Sequence, residues 1–281
     1  MSDYYTKLCT KLDKIYVKQF MKVVNRLCKS IRKPKYSNEY YLYHIILVLA
    51  DLQKWESLST VCSNKSKYHY KTIQDKHLQW SKLNIYETTY RILLKKYTHN
   101  KLNKNNNLVL FIDSALIYNK NGNELIGYGQ NPKKRETKIS AICDEDKNIH
   151  SIIITEVNQK TLTKTTLMSD QLSIEHNIKN LLETKLKFKK LYLVGDKGYA
   201  RNMKAKQHLK TKYKTELIYP HRKNQKSKTP ANSKKLLKKR YVIENVFAKL
   251  KRYDRICMRK DKLVSTYKGF IFLASIMLFK K

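Results

Sequence analysis

The hydrophobic pattern changes its period once along the chain, and this change constrains the fold more than any other feature. Between residues 36 and 99, apolar side chains recur every three or four residues, as in amphipathic helices. Residues 99–107 are polar, rich in Asn and aperiodic, which is typical of a linker. The pattern therefore predicts a helical domain at 1–98, a linker at 99–107 and a second domain at 108–281.

The second domain has the pattern of an α/β fold. Predicted strands cover residues 108–113, 137–143, 149–157, 190–195 and 216–219, and predicted helices cover 169–185, 199–211 and a stretch around 239–253. Three consecutive strands followed by strand–helix alternation indicate a mixed sheet with helices packed on its faces.

The charge of the chain points to an anionic partner. Sixty Lys and Arg against 22 Asp and Glu give a formal net charge of +38, far more than solubility requires. The basic residues are spread along the chain and not gathered beside an apolar span, so nucleic acid is favoured over an anionic membrane. A coding sequence that simply favours Lys and Asn is the alternative, but it does not explain the scarcity of acids.

Cysteine usage and hydropathy indicate a cytoplasmic protein without a membrane partner. The five Cys lie far apart and form no Cys-x-x-Cys pair, which argues against a disulfide framework and against a zinc ribbon. Residues 1–12 contain no secretory signal. The apolar run at 269–279 is shorter than the ~20 residues of a membrane span, so it predicts a buried terminal helix.

Two basic segments are candidates for DNA contact. Residues 65–80 mix basic, hydroxyl and amide side chains, as a recognition helix does, with Lys71 and Lys76 as candidate contacts. The alternative is an ordinary solvated helix face. Residues 221–239 contain eight Lys and Arg, among them Arg222 and Lys223, and can be interpreted as a phosphate-binding arm or as a disordered surface segment.

Two aspartates follow apolar strands. Asp113 ends the first predicted strand and Asp196 ends the fourth, so both side chains are expected at one edge of the sheet. Taken singly, an Asp at such a position is more often a cap of a turn or helix. The pair is harder to explain by capping.

A third acid lies in a basic helical stripe. At about 100° per residue, Arg240, Glu244 and Lys251 share one side of the predicted helix. The alternative is a surface salt bridge between Arg240 and Glu244, worth about 0.3–0.5 kcal/mol. Together with the two aspartates, Glu244 makes a set of hard oxygen ligands suited to two Mg²⁺ ions at a phosphodiester, with Lys197 among the neighbouring cations.

These residues resemble those of DDE transposases from bacterial insertion sequences. The similarity rests on Asp113, on Asp196 in Gly-Asp-Lys-Gly-Tyr, and on a signature of Arg, three residues, Glu, six residues and Lys at Arg240, Glu244 and Lys251. Residues 70–83 are similar to the helical DNA-binding region of the insertion-sequence-five-like branch.

The resemblance implies a ribonuclease-H-like catalytic domain preceded by an all-helical DNA-binding domain. It implies that Asp113, Asp196 and Glu244 bind two Mg²⁺ or Mn²⁺ ions, and that the protein cleaves and transfers strands of double-stranded DNA as a homo-oligomer on element ends and target. Lys138 completes the predicted DNA contacts. A ribonuclease-H-fold nuclease without strand transfer and a domesticated, non-catalytic DNA-binding protein stay open as alternatives.

Overall fold

The computed structural model describes residues 14–28, 36–52, 54–61, 70–101, 106–128, 133–161, 164–167, 170–184, 186–220 and 231–280. Its helices are α1 (Lys14–Leu27), α2 (Asn38–Ala50), α3 (Leu58–Val61), α4 (Tyr70–Lys82), α5 (Ile85–Lys101), α6 (Asp170–Leu182), α7 (Met203–Tyr213), α8 (Ala231–Lys238), α9 (Tyr241–Leu250), α10 (Asp254–Cys257) and α11 (Val264–Met277). Its strands are β1 (Asn107–Asn119), β2 (Gly127–Tyr128), β3 (Arg135–Cys143), β4 (Ile149–Glu156), β5 (Asn158–Thr161), β6 (Lys164–Leu167), β7 (Lys190–Val194), β8 (Thr215–Ile218) and β9 (Met258–Arg259).

The chain divides into two compact units that do not follow the predicted boundary. The helical unit comprises Met1–Leu93, Lys120–Glu124 and Leu250–Phe279, and the sheet unit comprises Leu94–Asn119, Leu125–Lys249 and Lys280–Lys281. The predicted domain at 108–281 therefore loses its last helices to the helical unit. Three of the residues predicted for the linker, at 99–101, belong to α5.

The C-terminal helix α11 belongs to the helical unit because it is apolar on all sides. Its residues 269–276 are all buried, which is the behaviour of a core helix. The ring of Phe270 stacks on buried His77 of α4 at 4.1 Å, and a Cβ on Gly269 would lie 2.5 Å from Ser81 Oγ. The absence of a side chain at Gly269 thus lets α11 approach α4 closely. The prediction of a buried terminal helix is confirmed.

The sheet unit has the predicted order of strands and helices, with additions. Strand β3 pairs antiparallel with β1 and with β4, while β7 pairs parallel with β1 and β8 pairs parallel with β7. The short strand β2 and the hairpin β5–β6 were not predicted. Helices α6 and α7 cover the sheet, and the core beneath them includes Ile112, Ile178, Leu193 and Tyr199.

The first strand is longer than predicted, and this changes the place of Asp113. Strand β1 continues to Asn119, so Asp113 lies within the strand and pairs with Ala141 of β3. The parallel pairing with β7 ends earlier, at Phe111 and Val194. Asp113 therefore pairs with β3 on one side and lies beyond the pairing with β7 on the other. The predicted strand ends at Asp113, whereas in the structure β1 continues and only the neighbouring strand β7 ends.

Helix α1 was not predicted at all. Tyr16, Phe20, Val23 and Val24 are buried on one side of it, and the ring of Phe20 packs against Trp80 at 5.2 Å. Their helical spacing was a usable signal that the sequence interpretation missed. In the described part of the chain, no helix is both long and apolar enough to cross a membrane.

Candidate active site

The sheet register brings Asp113 and Asp196 to the same level. Phe111 pairs with Val194 at the end of the parallel β1–β7 pairing, and each aspartate follows its strand partner by two residues. Beyond this pair the chain turns at Gly195, which packs against Ile112 of β1, so Asp196 follows the turn on the side of β7 where Asp113 lies in β1. Both side chains are partly exposed. The two acids thus lie near the place where β7 ends and β1 continues, and their meeting at one site stays a prediction.

The turn after β7 is built around Gly195. A Cβ at this position would lie 2.7 Å from Tyr199 Cδ2 and 3.1 Å from Ile112 Cγ2, closer than real Cβ contacts allow. The missing side chain lets the turn pack against β1 beside Asp113. Asp196 Oδ1 then accepts a hydrogen bond of 2.7 Å from the Gly198 amide and caps the short 3₁₀ helix Lys197–Tyr199. The capping interpretation therefore holds for Asp196, and Gly195 is a site residue that the sequence interpretation missed.

Helix α9 orients Glu244 outward. Val242, Ile243, Val246 and Phe247 are buried and fix the apolar side of the helix, while Glu244 is exposed. Before α9, Lys239 forms an ion pair of 3.1 Å with Glu145 in the turn between β3 and β4. The start of α9 is thus tied to the same three-stranded part of the sheet that contains Asp113.

Arg240 joins two of the three predicted acids. Its Nη2 lies 2.6 Å from Glu244 Oε1, and its Nη1 lies 3.4 Å from Asp113 Oδ2. The salt bridge that was the alternative interpretation of the stripe is present, but the same guanidinium also contacts an acid 127 residues earlier. Asp113 and Glu244 therefore lie on either side of one cation, with Asp113 also accepting from the Ser114 amide at 2.8 Å.

The donor chemistry of these residues fits a hard divalent cation. Asp113, Asp196 and Glu244 offer carboxylate oxygens, the ligands that Mg²⁺ prefers, and two of them already surround a positive group. Each acid is engaged by a donor of the protein itself. In this structure, however, the described residues include no group of three His, Cys, Asp or Glu close enough together to hold a metal ion, so the three acids are not gathered around one point.

The predicted DNA contacts are spread over both units. Lys197 is exposed directly after Asp196, and Lys138 lies in β3, where it pairs with Leu116 of β1. Lys251 follows the end of α9 and belongs to the helical unit, so Arg240 and Lys251 flank α9 instead of lying in it. Arg222 and Lys223 lie outside the described residues.

The two predicted contacts in α4 differ in their surroundings. Lys71 is exposed. Lys76 is partly buried, lies over the rings of Tyr41 and Trp80 and donates to Gln79 at 3.1 Å. Ile73, His77 and Trp80 are buried on the opposite side of the helix from Lys71. The start of this segment, residues 65–69, lies outside the described residues.

Comparison with solved structures identifies the fold. A piggyBac transposase in a synaptic complex with hairpin DNA matches 97% of this chain and 71% of its own, at 12% identity and a TM-score of 0.50. A Mos1 transposase in a pre-cleavage transpososome matches 82% of this chain and 80% of its own, at 12% identity and a TM-score of 0.28. The mixed sheet flanked by helices is a ribonuclease-H-like fold.

Comparison of sequences identifies the family. A Brucella ovis protein, named as a predicted transposase for insertion sequence element IS6501, is 42% identical over 53 residues, which are 19% of this chain. The match spans 41% of that relative's length. The model of the transposase DDE domain matches residues 104–278, well over half of the chain. The chain therefore belongs to the transposase DDE domain family.

Proposed function

We propose that this protein is a transposase that binds the ends of an insertion sequence, cleaves them and transfers the freed strands to target DNA. The observation that carries the proposal is the position of Arg240 between Asp113 and Glu244. These contacts bring together two acids that are distant in sequence. Asp196 enters through the strand register.

In the proposed site, three carboxylates bind metal and the neighbouring cations bind phosphate. Asp113, Asp196 and Glu244 would bind divalent metal, either Mg²⁺ or Mn²⁺, and two ions would be bound when the site is fully occupied. Such ions supply activation of the attacking oxygen and stabilisation of the leaving oxygen at phosphorus. Family membership and the oxygen donor set support this assignment.

Arg240 would exchange partners during the reaction. In the present arrangement its guanidinium neutralises two carboxylates. When a phosphodiester enters, the same planar donor group can bind phosphate oxygens in bidentate fashion, as guanidinium groups do. Lys197, exposed beside Asp196, would contact a neighbouring phosphate. Arg240 would thereby offset the repulsion between the two carboxylates before substrate binds and stabilise the negative charge of the phosphate afterwards.

The remaining assignments follow from the same proposal. The solved transposase with a TM-score of 0.50 is a synaptic complex with DNA, which supports double-stranded DNA as the partner and a homo-oligomeric assembly. The helical unit would recognise element ends, and the net charge of +38 would supply salt-dependent affinity. Assignment to the insertion-sequence-five-like branch rests on residues 70–83 and remains a prediction.

The test uses the full chain and linear duplexes carrying the DNA that flanks its coding sequence. With Mg²⁺ or Mn²⁺, we expect cleavage at those ends, and we expect joined product when pre-cut ends with free 3′-hydroxyls are given a plasmid target. Asp113→Asn, Asp196→Asn and Glu244→Gln should each lower cleavage by about 10²-fold or more while DNA affinity changes little. Glu216→Gln, at an exposed acid paired with Lys190, is the matched control.

Three outcomes separate the candidate functions. Cleavage without any joined product would identify a nuclease with a ribonuclease-H-like fold. DNA binding without metal-dependent cleavage would identify a non-catalytic binding protein. Normal turnover in any of the three acid variants would refute the proposed site.

A further inference from the structure

Helix α1 carries a row of cations on the side opposite its apolar face. Lys14, Lys18, Lys22 and Arg26 follow one another at four-residue spacing, and all four are exposed. Successive members are separated by about 40° around the helix and about 6 Å along its axis. None of them forms an ion pair with another described residue. The row is therefore a set of cations without an internal counter-charge in the described structure.

The helix that carries this row is held firmly in the helical unit. Val24 is fully buried and Phe20 is nearly so. The Phe20 ring contacts Trp80 at 5.2 Å and Tyr86 at 5.5 Å, and the Tyr16 ring meets Phe279 edge-on at 5.9 Å. Because α1 is anchored along its length, the cations are presented at fixed spacing and lose little further freedom on binding.

A cleft of about 460 Å³ lies beside the row. It is lined by Lys14, Lys18, Lys22, Asn25, Val17 and Met21 from α1, and by Glu39 and Tyr43 from α2. Three lysines and one amide on the α1 wall favour an anion. The carboxylate of Glu39 on the opposite wall disfavours one, so an anionic ligand is expected to follow α1 and to avoid the start of α2.

We infer that this row and the adjoining cleft wall form a binding track for the phosphate backbone of double-stranded DNA, separate from the catalytic acids and from the predicted contacts in α4. Phosphates of one strand advance by about 3.4 Å along a duplex, so cations about 6 Å apart can each meet a different phosphate. Such contacts position DNA and carry no sequence information. The inference rests on the proposed function for the identity of the polyanion.

The first test measures DNA affinity without divalent metal, so that cleavage plays no part. The probe is a short duplex of arbitrary sequence, titrated with the full chain at several salt concentrations. Each phosphate contact contributes about 0.9 to the slope of log affinity against log salt, so Lys14→Gln/Lys18→Gln/Lys22→Gln should lower the slope by about 2–3. The control Lys95→Gln/Lys96→Gln/Lys187→Gln removes the same charge from exposed positions outside the row and outside the predicted DNA contacts. It should change the slope by less than about 1.

Two further measurements protect the result against misfolding and general charge effects. Thermal unfolding should show that both triple variants keep the parent's transition. In the unaltered chain, bound DNA should protect Lys14, Lys18 and Lys22 from acetylation several-fold more than Lys95, Lys96 and Lys187. Glu39→Gln should act in the opposite direction and tighten binding by about twofold to threefold, because it removes the acid that lines the cleft in the described part of the chain.

The inference is overturned if both triple variants lower the slope equally, if the α1 lysines are acetylated at the same rate with and without DNA, or if Glu39→Gln leaves affinity unchanged. These outcomes are independent of catalysis. A parent chain that binds duplex through α1 but yields no cleaved product would contradict the proposed function and leave the track in place. A parent chain that cleaves and joins DNA while the α1 variant keeps its slope would support the proposed function and contradict the track.

Discussion

Arg240 and Asp113 are 127 residues apart in sequence, and their side chains meet at 3.4 Å between Nη1 and Oδ2. The contact ties helix α9 to the middle of β1. Since Nη2 of the same guanidinium binds Glu244, both terminal nitrogens of Arg240 contact a carboxylate. This geometry sets the first prediction.

Replacing Arg240 should remove the cation that offsets the repulsion between Asp113 and Glu244. We expect it to impair the reaction more than DNA binding. Arg240→Lys keeps the positive charge but replaces the planar fork that spans the two carboxylates with a compact ammonium, and should lower the cleavage rate by about 10-fold; Arg240→Gln, which also loses the charge, should lower it by about 100-fold. Single-turnover cleavage and DNA affinity are measured side by side. Lys239→Gln, which removes the neighbouring exposed cation, should stay close to the parent. Equal losses in Lys239→Gln and Arg240→Gln would show that only general charge matters.

Gly195 should be intolerant of even a methyl group. In Gly195→Ala the new Cβ would clash with Tyr199 Cδ2 at 2.7 Å, and the ring cannot retreat because Tyr199 is buried in the core. We expect a loss of about 1–3 kcal/mol in the free energy of unfolding, measured by denaturant titration, and slower cleavage because Asp196 is displaced. Gly198→Ala, at an exposed glycine without positive φ, is the control. Similar stability of both variants would contradict the packing described.

The helical unit should lose stability in acid through His77. Burial lowers the pKa of His77 from 6.5 to about 3, against the hydrogen bond that it shares with the Thr266 carbonyl. The unfolded chain therefore takes up a proton near pH 6.5 that the folded chain refuses. Stability falls as pH drops from about 6.5 toward 3, by up to about 1.4 kcal/mol per pH unit.

The variant His77→Gln isolates that contribution. It should unfold more easily at neutral pH, because the stacking on Phe270 is lost, but its unfolding midpoint should depend less on pH between 6.5 and 4. His44, whose pKa burial also lowers, remains in both proteins. Parallel pH profiles for parent and variant would rule out His77 as the titrating group.

A fragment that keeps α11 but lacks the N-terminal helices should aggregate. Residues 94–281 include the apolar helix α11, whose partners α2 and α4 belong to the part removed. A fragment of residues 94–249 lacks α11 as well as α2 and α4, and it is the control. Size-exclusion chromatography should show the longer fragment as aggregate, whereas a larger share of the shorter fragment should elute without aggregation. A monodisperse longer fragment would contradict the assignment of α11 to the helical unit.

Much of this molecule was predictable because the relevant signals are local. The period change at 99–107, the run of strands, and the Arg240–Glu244 spacing all follow from residues near one another in sequence. The continuation of β1 past Asp113 was not predictable in this way, since residues 114–119 become a strand through pairing with β3. The membership of α11 in the helical unit likewise depends on partners at the other end of the chain. The close approach at Gly195 required the positions of Tyr199 and Ile112.

The return of the chain to the helical unit at Leu250–Phe279 also has a consequence for biosynthesis. A ribosome that has translated every strand of the sheet unit and all three proposed metal ligands has still not released α11. The helical unit can therefore close only after α11 has been translated, and a chain terminated before α11 would expose the apolar surfaces that α11 covers. Such chains should be substrates for proteases and chaperones, so that a copy of the gene shortened at its 3′ side yields no stable competitor of the full-length protein.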